Sequence, residues 1–328
     1  MLLVAQAQSP WRLKQRKNFT NWKTLALFLE LDTSHYAKIA EIAHFPLNLP
    51  LRLAEKIQKN SFDDPILRQF LPIIEERIKI NGFTLDPVGD LSARKGDKLL
   101  HKYEGRALLI TTSACAMHCR YCFRRNFPYE NQDKTFNEEL EILQNDPSIK
   151  EIILSGGDPL SLSNDLLGSL LTKLSQIPHI TKIRFHSRFP IGIPERIDEE
   201  FLSLLAEIPK QVVFIVHTNH PKELDEDILG ALKKIQKLGI PILNQSVLLK
   251  GVNDSFETMK ELLEKLINNG ILPYYLHQLD RAEGVSHFET SEEFGKQLLG
   301  QLAKVLPGYA IPKYVREIAG MDSKTPIF

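Results

Sequence analysis

Short apolar runs recur along the last two-thirds of the chain, separated by segments with helical periodicity. The runs occupy positions 107–111, 151–154, 182–185, 212–216, 240–249 and 274–276. Most of them begin about 30 residues apart, which is the length of one strand–helix unit of a parallel sheet. This pattern predicts an α/β fold in which six β/α units curl into a partial barrel, incomplete compared with the eight-unit closed form.

The helix boundaries follow from capping residues. Between the fifth and sixth runs, Asp254 and Glu257 stand at cap and third positions before an apolar helical face, and Thr290 and Glu293 repeat the pattern after the sixth run. The apolar stretch 309–315 predicts one more strand near the C-terminus.

The first 97 residues have a different pattern, with helical periodicity at 51–59 and 66–80, several prolines and few strand signals. We therefore expect a helical extension over 1–97, a barrel over 98–306 and a C-terminal segment over 307–328. A basic cluster near the start (Arg12, Lys14, Arg16, Lys17) allows contact with RNA or a partner, but a solvated basic arm is the favoured interpretation.

The charge balance excludes several classes of protein. The chain has 41 Lys and Arg against 41 Asp and Glu, which argues against binding to nucleic acid or an anionic membrane. No apolar run reaches the roughly 18 residues of a membrane helix, and the first five residues are too short for a signal-peptide core. We expect a soluble, cytoplasmic protein.

Polar side chains follow each predicted strand, at the end where parallel barrels carry their chemistry. They include residues 155–158 after the second run, 186–188 after the third, 217–220 after the fourth and 277–280 after the sixth, while Gln245 and Ser246 interrupt the fifth. We expect these groups to share one rim of the barrel.

The strongest chemical signal follows the first run. The chain has three cysteines, Cys115, Cys119 and Cys122, within eight consecutive residues, a poor basis for disulfides. Three thiolates can hold an iron–sulfur cubane whose fourth iron stays open to a small molecule. The alternatives are a zinc site, which needs a fourth ligand such as His118, and incidental thiols; the cluster is favoured.

A set of motifs in order resembles the lysine 2,3-aminomutases of the radical S-adenosylmethionine superfamily. The resemblance covers the chain from about Leu99 to the C-terminus, and rests on residues 115–125, 155–160, 183–188, 217–221, 244–249, 273–275 and 323–326. It is nearest to the branch associated with elongation factor P, because of residues 99–103 and 120–125 and because clostridial-type enzymes for free lysine continue further and carry additional zinc-binding cysteines. The expected fold is then a partial barrel of the radical S-adenosylmethionine type.

The resemblance implies a [4Fe-4S] cluster on the three cysteines, with S-adenosylmethionine on its open iron. The implied contacts of that cofactor are Ser155, Gly156, Gly157, Asp158, His217 and Gln245. From the residues alone, the glycine motif is also an ordinary turn and His217 a satisfied core histidine. Gln245 is unusual within a buried strand, where polar groups need partners.

The resemblance implies pyridoxal phosphate as a second cofactor. Lys324 matches the family's Schiff-base lysine, although a lysine so near the C-terminus is on its own grounds a solvated tail residue. Arg106 matches the residue that holds the phosphate, which suits the guanidinium fork. Lys102 stands where relatives often have a second arginine, so the phosphate clamp is expected to be weaker there.

Three further positions match substrate-binding residues of the family. Arg124 matches the residue that binds the substrate carboxylate, and Asp280 one that holds the ε-ammonium group. Glu317 stands where free-lysine enzymes have an aspartate, so the fit is changed at that position. As isolated carboxylates, Asp280 and Glu317 are also typical of surface ion pairs, but two of them around one ammonium favour lysine as substrate.

The implied activity is that of an isomerase which converts (S)-α-lysine to (R)-β-lysine through a 5′-deoxyadenosyl radical and a pyridoxal phosphate aldimine. The expected partners are L-lysine, elongation factor P with its β-lysine ligase, an electron donor of the flavodoxin or ferredoxin type, and further copies of the chain. The alternatives are a free-lysine aminomutase of catabolism and a non-catalytic metal-binding module.

Overall fold

One curved sheet organises the molecule in the computed structural model, which describes residues 9–129 and 135–328. Its nine strands lie side by side in chain order: β1 Leu99–Tyr103, β2 Arg106–Thr112, β3 Glu151–Gly156, β4 Lys182–Ser187, β5 Gln211–His217, β6 Ile242–Val247, β7 Leu272–His277, β8 Lys313–Arg316 and β9 Thr325–Pro326. The seven strands β2 to β8 are parallel, and β1 and β9 pair antiparallel at the two edges. The sheet does not close.

Short helices precede the sheet, and the helices that follow β2 connect its parallel strands and cover its outer face. In the described residues they are α1 Pro10–Gln15, α2 Trp22–Phe28, α3 Leu51–Ala54, α4 Pro65–Arg68, α5 Asn137–Asn145, α6 Asn164–Ser175, α7 Phe189–Gly192, α8 Glu199–Ala206, α9 Glu226–Lys237, α10 Phe256–Asn268 and α11 Glu292–Leu302. No helix within this part of the chain is long and apolar enough to cross a membrane.

The predicted partial barrel is confirmed. Each of the six apolar runs lies on one of the strands β2 to β7, and a helix follows each strand. The seventh predicted run becomes β8, but it starts at Lys313 because the residues before it form a 3-10 turn at Gly308–Ala310. The edge strand β1 has no separate apolar run that would predict it. It is joined to β2 by a two-residue turn and pairs with it antiparallel.

Both predicted helix caps are wrong by one residue. The Ser255 hydroxyl accepts from the Thr258 amide at 3.2 Å and begins α10, while Asp254 accepts from Gly251 in the preceding turn. Ser291 similarly caps α11. In both places two residues that fit a cap stand side by side, Asp254 with Ser255 and Thr290 with Ser291, and the direction of the entering loop decides between them.

The N-terminal region has shorter helices than its periodicity predicts. Helix α3 ends at Ala54 instead of position 59, and the predicted helix at 66–80 is interrupted after Arg68, near Pro72, which cannot donate a helical hydrogen bond. Buried residues of this region, such as Trp11 and Leu53, belong to the same hydrophobic cluster as the barrel strands. The division of the chain at residue 97 stays a prediction. The four basic side chains at 12, 14, 16 and 17 are exposed.

Side chains alternate between the two faces of the sheet, as the pleat requires. On β5, Val212, Phe214 and Val216 pack outward into the helix layer, whereas Ile215 and His217 face the inside of the curve. On β6, Gln245 occupies the inner face directly opposite His217. The polar residues that interrupt the apolar runs therefore point into the concave side of the sheet.

Candidate functional site

A cavity of about 630 Å³ fills the concave side of the sheet, within the range of small-molecule sites. All fourteen residues that the sequence analysis singled out line it: Arg106, Cys115, Cys119, Cys122, Arg124, Ser155, Gly156, Gly157, Asp158, His217, Gln245, Asp280, Glu317 and Lys324. The structure thus brings together groups that are up to 218 positions apart in the chain (324 − 106). Their individual roles stay predictions.

The three cysteines lie on the loop after β2 and face the cavity. All three thiols are free, and burial raises the pKa of Cys122 to about 11 and that of Cys115 well above the ordinary range. Both thiols therefore need a cationic partner such as cluster iron before they stand as thiolates. The described residues contain no group of three His, Cys, Asp or Glu side chains placed for a single metal ion.

His118 belongs to the same loop but is engaged with the N-terminal region. Its Nδ1 lies 2.9 Å from the Pro46 carbonyl, its amide donates to Asn48 at 2.9 Å, and its ring stacks on Phe45. These contacts anchor the cysteine loop to the segment at 45–48.

Gly156 and Gly157 let β3 pass against the cysteine loop. A Cβ on Gly157 would lie 2.3 Å from the Ala114 carbonyl oxygen, and Gly156 has a φ of +113°, which side chains rarely adopt. The Gly157 amide donates to Thr112 at 2.6 Å. The space beside Gly157 is taken by the backbone that leads to Cys115, and contact of the two glycines with S-adenosylmethionine stays a prediction.

The Asp158 carboxylate accepts several hydrogen bonds from other residues of the chain. It accepts from the Leu160 amide at 3.0 Å, from the Ser187 hydroxyl at 2.9 Å, and from the amides of Arg188 and Phe189 at 2.8 and 3.0 Å. Asp158 thus fixes the turn after β4, and we expect its contribution to a cofactor site to come through that turn.

Three neutral histidines line the inner wall. Burial lowers the pKa of His217 to about 3 and those of His186 and His277 well below the ordinary value, and the nearby Lys324 adds to this effect. His186 Nδ1 lies 3.2 Å from His217 Nε2. Within the described chain, buried atoms without a hydrogen-bond partner include Nε2 of His186 and His277 and Oε1 of Gln245.

Alternating charges run from one wall of the cavity to the opening of the sheet. Arg124 donates to Asp90 at 2.6 Å, Asp90 lies 2.6 Å from Lys102, and Lys102 contacts Glu317 at 2.9 Å. Glu317 in turn holds Lys324. Burial alone would raise the pKa of Glu317, but Lys324 and Lys102 hold it far below its usual range.

Asp280 is a lining carboxylate with spare capacity for a hydrogen bond. Its Oδ1 is buried and has no hydrogen-bond partner in the described structure. Burial and the neighbouring Glu317 raise the pKa of Asp280 to about 7. A cation that reached this oxygen would lower that pKa and be bound by the charge.

The start of β2 and β4 supplies arginines to the inner wall. Arg106 lies over the Tyr103 ring with its guanidinium carbon 4.6 Å from the ring centre, and Arg184 pairs with Glu151 at 2.9 Å. Lys324 lies 6.0 Å from the Tyr275 ring centre on the same cavity wall. Cations beside aromatic rings suit a phosphorylated aromatic ligand.

Comparison with known proteins identifies the family. The Radical SAM superfamily model matches residues 109–266. The chain is 43% identical over 287 residues to an L-lysine 2,3-aminomutase of Escherichia coli, covering 86% of this chain and 83% of that protein. It is 39% identical over 326 residues to one of Haemophilus influenzae, with 98% and 96% coverage. The chain belongs to the L-lysine 2,3-aminomutase family.

The fold is also similar to that of a protein of known structure. Streptococcus suis SuiB, in a crystal structure with S-adenosylmethionine bound, matches with a TM-score of 0.50 at 14% identity, over 66% of this chain and 51% of that one. The likeness confirms the fold.

Membership in this family implies a [4Fe-4S] cluster, S-adenosylmethionine and pyridoxal phosphate. The cavity of this aminomutase family member fits them. Three partly buried free thiols match a cluster that keeps one iron open. Lys324 and the arginines suit a phosphorylated aldehyde, and the unpartnered atoms of Gln245 and Asp280 offer acceptors to ligand donors.

Some contacts of this site carry no signal in the sequence. Asp90 lies in the N-terminal region, outside every motif, and the fold brings it to Arg124, 34 positions away. Arg184 and Arg188 lie within a recognised motif, but their contacts with Glu151 and Cys119 depend on register and on a turn. Inward alternation on β4 is the signal that could have found Arg184.

Proposed function

We propose that this chain is a cytoplasmic L-lysine 2,3-aminomutase that converts (S)-α-lysine to (R)-β-lysine. The observation that carries the proposal is the pairing, in one cavity, of the buried guanidinium of Arg124 with the unpartnered carboxylate of Asp280. Lysine has a carboxylate at one end and an ammonium group at the other, so the two residues match it. A substrate with a carboxylate side chain would meet Asp280 and Glu317 unfavourably.

Arg124 is held ready for a carboxylate. Asp90 fixes its Nε, and the rest of the guanidinium faces the cavity beside Ser155, whose hydroxyl lies 3.5 Å from Nη1. Orientation by a bound partner reduces the entropy lost when a substrate docks. Glu317 serves chiefly as the partner of Lys102 and Lys324, and we assign the ε-ammonium group to Asp280.

The cofactors supply radical formation and stabilisation of an amine migration when they are bound. The chain's own residues bind and orient the reactants, and its buried histidines keep their neutral protonation state. His186, His217 and His277 stay neutral at any physiological pH, so they add no cation beside the cavity and offer ring nitrogens for hydrogen bonds. The concave wall excludes water and oxygen from the reacting atoms.

We further propose that the product serves the β-lysylation of elongation factor P. The support is the likeness of residues 99–103 and 120–125 to the branch associated with that factor. The same support extends to the product configuration. An electron donor of the flavodoxin or ferredoxin type and self-association accompany this proposal as expectations from the family.

The test is anaerobic reconstitution with iron, sulfide, pyridoxal phosphate, S-adenosylmethionine and dithionite. L-Lysine, L-glutamate and L-ornithine are then offered in parallel, and the products are separated on a chiral column. We expect (R)-β-lysine from L-lysine and much slower turnover of the other two. Formation of β-glutamate, or no amine migration with any of the three, would refute the substrate assignment.

The link with elongation factor P needs its own experiment. The reconstituted reaction is coupled to the β-lysine ligase and unmodified factor, and the mass of the factor is measured. A mass increase that needs this enzyme supports the proposal. If the factor stays unmodified while added synthetic (R)-β-lysine is transferred, the product is a different one and the proposal fails.

A further inference from the structure

Arg188 is a buried cation that contacts a cysteine of the cluster loop. It lies just after β4, and its side chain is 6% exposed. Nη1 donates to Cys119 Sγ at 2.8 Å and also contacts the Tyr121 hydroxyl, while Nη2 donates to Gln69 Oε1 at 2.7 Å and lies 3.0 Å from Glu223 Oε2.

The surroundings fix this guanidinium in place. Its carbon lies 5.1 Å from the centre of the Phe70 ring and 5.4 Å from that of Tyr121. Asp158 binds the backbone amide of Arg188, so the turn itself cannot shift freely. A side chain held at both its backbone and its tip presents one geometry to Cys119.

The charge of Arg188 is only partly balanced by carboxylate. Glu223 also accepts from Gln69, from the Thr218 hydroxyl and from the Asn219 amide, so its negative charge is shared among several donors. A thiolate at Cys119 supplies the second negative partner. A guanidinium stays charged in proteins, so this attraction operates at any working pH.

The same network reaches the N-terminal region. The carbonyl of Gln69 accepts from the Arg120 amide at 2.8 Å, next to Cys119, and its side chain accepts from Arg188. One residue that follows helix α4 therefore holds both the cysteine loop and the arginine that faces it. This gives the N-terminal region a part in the geometry of the cluster.

We propose that Arg188 is a positioning residue that holds Cys119 for the iron–sulfur cluster and raises the reduction potential of that cluster. One-electron reduction from the 2+ to the 1+ state takes an electron from an external donor and adds one negative charge to the cluster. A fixed cation that donates to a ligand sulfur stabilises the reduced state more than the oxidised one. The inference depends on the cluster that the family implies, and is independent of the substrate.

The test compares R188Q, R188K and a matched control, R196Q, after anaerobic reconstitution. Arg196 is also fully buried, but it donates to the carbonyls of Leu160 and Leu162 and contacts no cysteine. Iron and sulfide per chain are measured first. The midpoint potential is then read from an electron paramagnetic resonance titration of the reduced cluster without S-adenosylmethionine or lysine.

We expect R188Q to bind less iron than R196Q and to have a more negative midpoint potential than the wild type. R188K keeps the positive charge but loses the planar guanidinium that donates to several partners at once. We therefore expect its iron content and midpoint potential to lie between those of R188Q and the wild type. If R188Q loses its cluster entirely, the potential of R188K decides. Wild-type potentials in R188Q or R188K, or equal cluster losses in R188Q and R196Q, would overturn the proposal.

Discussion

At the residue scale, the site separates two carboxylates that look alike in the sequence. Glu317 lies between Lys102 and Lys324, which keep it ionised, whereas Asp280 has a buried Oδ1 without a partner and a pKa raised to about 7 by burial and by Glu317. Position in the chain does not reveal this difference, because the cations that decide it come from β1 and from the C-terminal segment. The pair illustrates how environment sets the role of an acid.

The raised pKa of Asp280 predicts a pH-dependent affinity for lysine. Below pH 7 the free enzyme holds this group largely neutral, so kcat/KM for lysine is expected to rise as the pH passes through about 7. In D280N the rise should vanish and kcat/KM should fall by about 10- to 100-fold, the usual worth of a hydrogen bond to a charged group.

The control for this measurement is D227N, since Asp227 is 72% exposed and distant from the lining residues. It should keep the wild-type pH profile. An unchanged profile in D280N would contradict the assignment of the ε-ammonium group to Asp280.

Lys324 is expected to be the residue that carries pyridoxal phosphate. Borohydride treatment of the loaded enzyme should attach the cofactor to the peptide that contains Lys324, as seen by mass spectrometry. K324A should lose this attachment and the aminomutase activity but keep its iron, because Lys324 contacts Glu317 and not the cysteine loop. The exposed Lys304 supplies a control variant, K304A, which should behave as the wild type.

At the element scale, the end of β3 approaches the end of β2 and the cysteine loop so closely that Gly156 and Gly157 leave no room for a Cβ. The motif at 155–158 was interpretable from the sequence as a cofactor loop, but its first two residues belong to the end of β3. The packing of this motif against the cysteine loop was not predictable, because the contact of Gly157 with Ala114 arises only when two parallel strands pair in register. The same holds for Asp158: Leu160 is a local partner, but its partners at the end of β4 and in the turn after it lie 29 to 31 positions away.

G157A is predicted to disturb the cysteine loop. The added methyl group would lie 2.3 Å from the Ala114 carbonyl, so the loop must move, at a cost of about 1–3 kcal/mol in the free energy of unfolding. We expect a lower melting temperature and less bound iron. The matched variant G230A lies within α9, where nothing lies within 4 Å of the new Cβ, and should be stabilised by up to about 1 kcal/mol.

At the scale of the whole molecule, an open sheet is joined across its gap by charge. Lys102 comes from β1 at one edge, and Glu317 follows β8 near the other. The apolar runs were sufficient to predict the parallel strands β2 to β8, since period and spacing are local, but they did not predict the antiparallel edge strands β1 and β9. The bridging of the edges was not predictable, because Asp90 and Lys102 become neighbours of Glu317 only once the sheet has curled.

Removing the charge of Lys102 is expected to weaken the whole fold. K102Q leaves Asp90 and Glu317 with one cation fewer in a largely buried site, and breaking such a pair costs about 3–5 kcal/mol. K296Q removes a partner of the exposed Glu293 and should change the free energy of unfolding by about 0.5 kcal/mol or less. Equal effects of the two substitutions would show that Lys102 does not join the edges.

The central claim is that the cysteines and the lysine-binding groups form one chamber in which S-adenosylmethionine and lysine meet. The most direct test gives the reconstituted enzyme L-lysine deuterated at C3 and analyses the recovered S-adenosylmethionine and 5′-deoxyadenosine by mass spectrometry. We predict deuterium in the 5′-deoxyadenosyl group together with β-lysine. β-Lysine formed without any deuterium in that group would contradict the account.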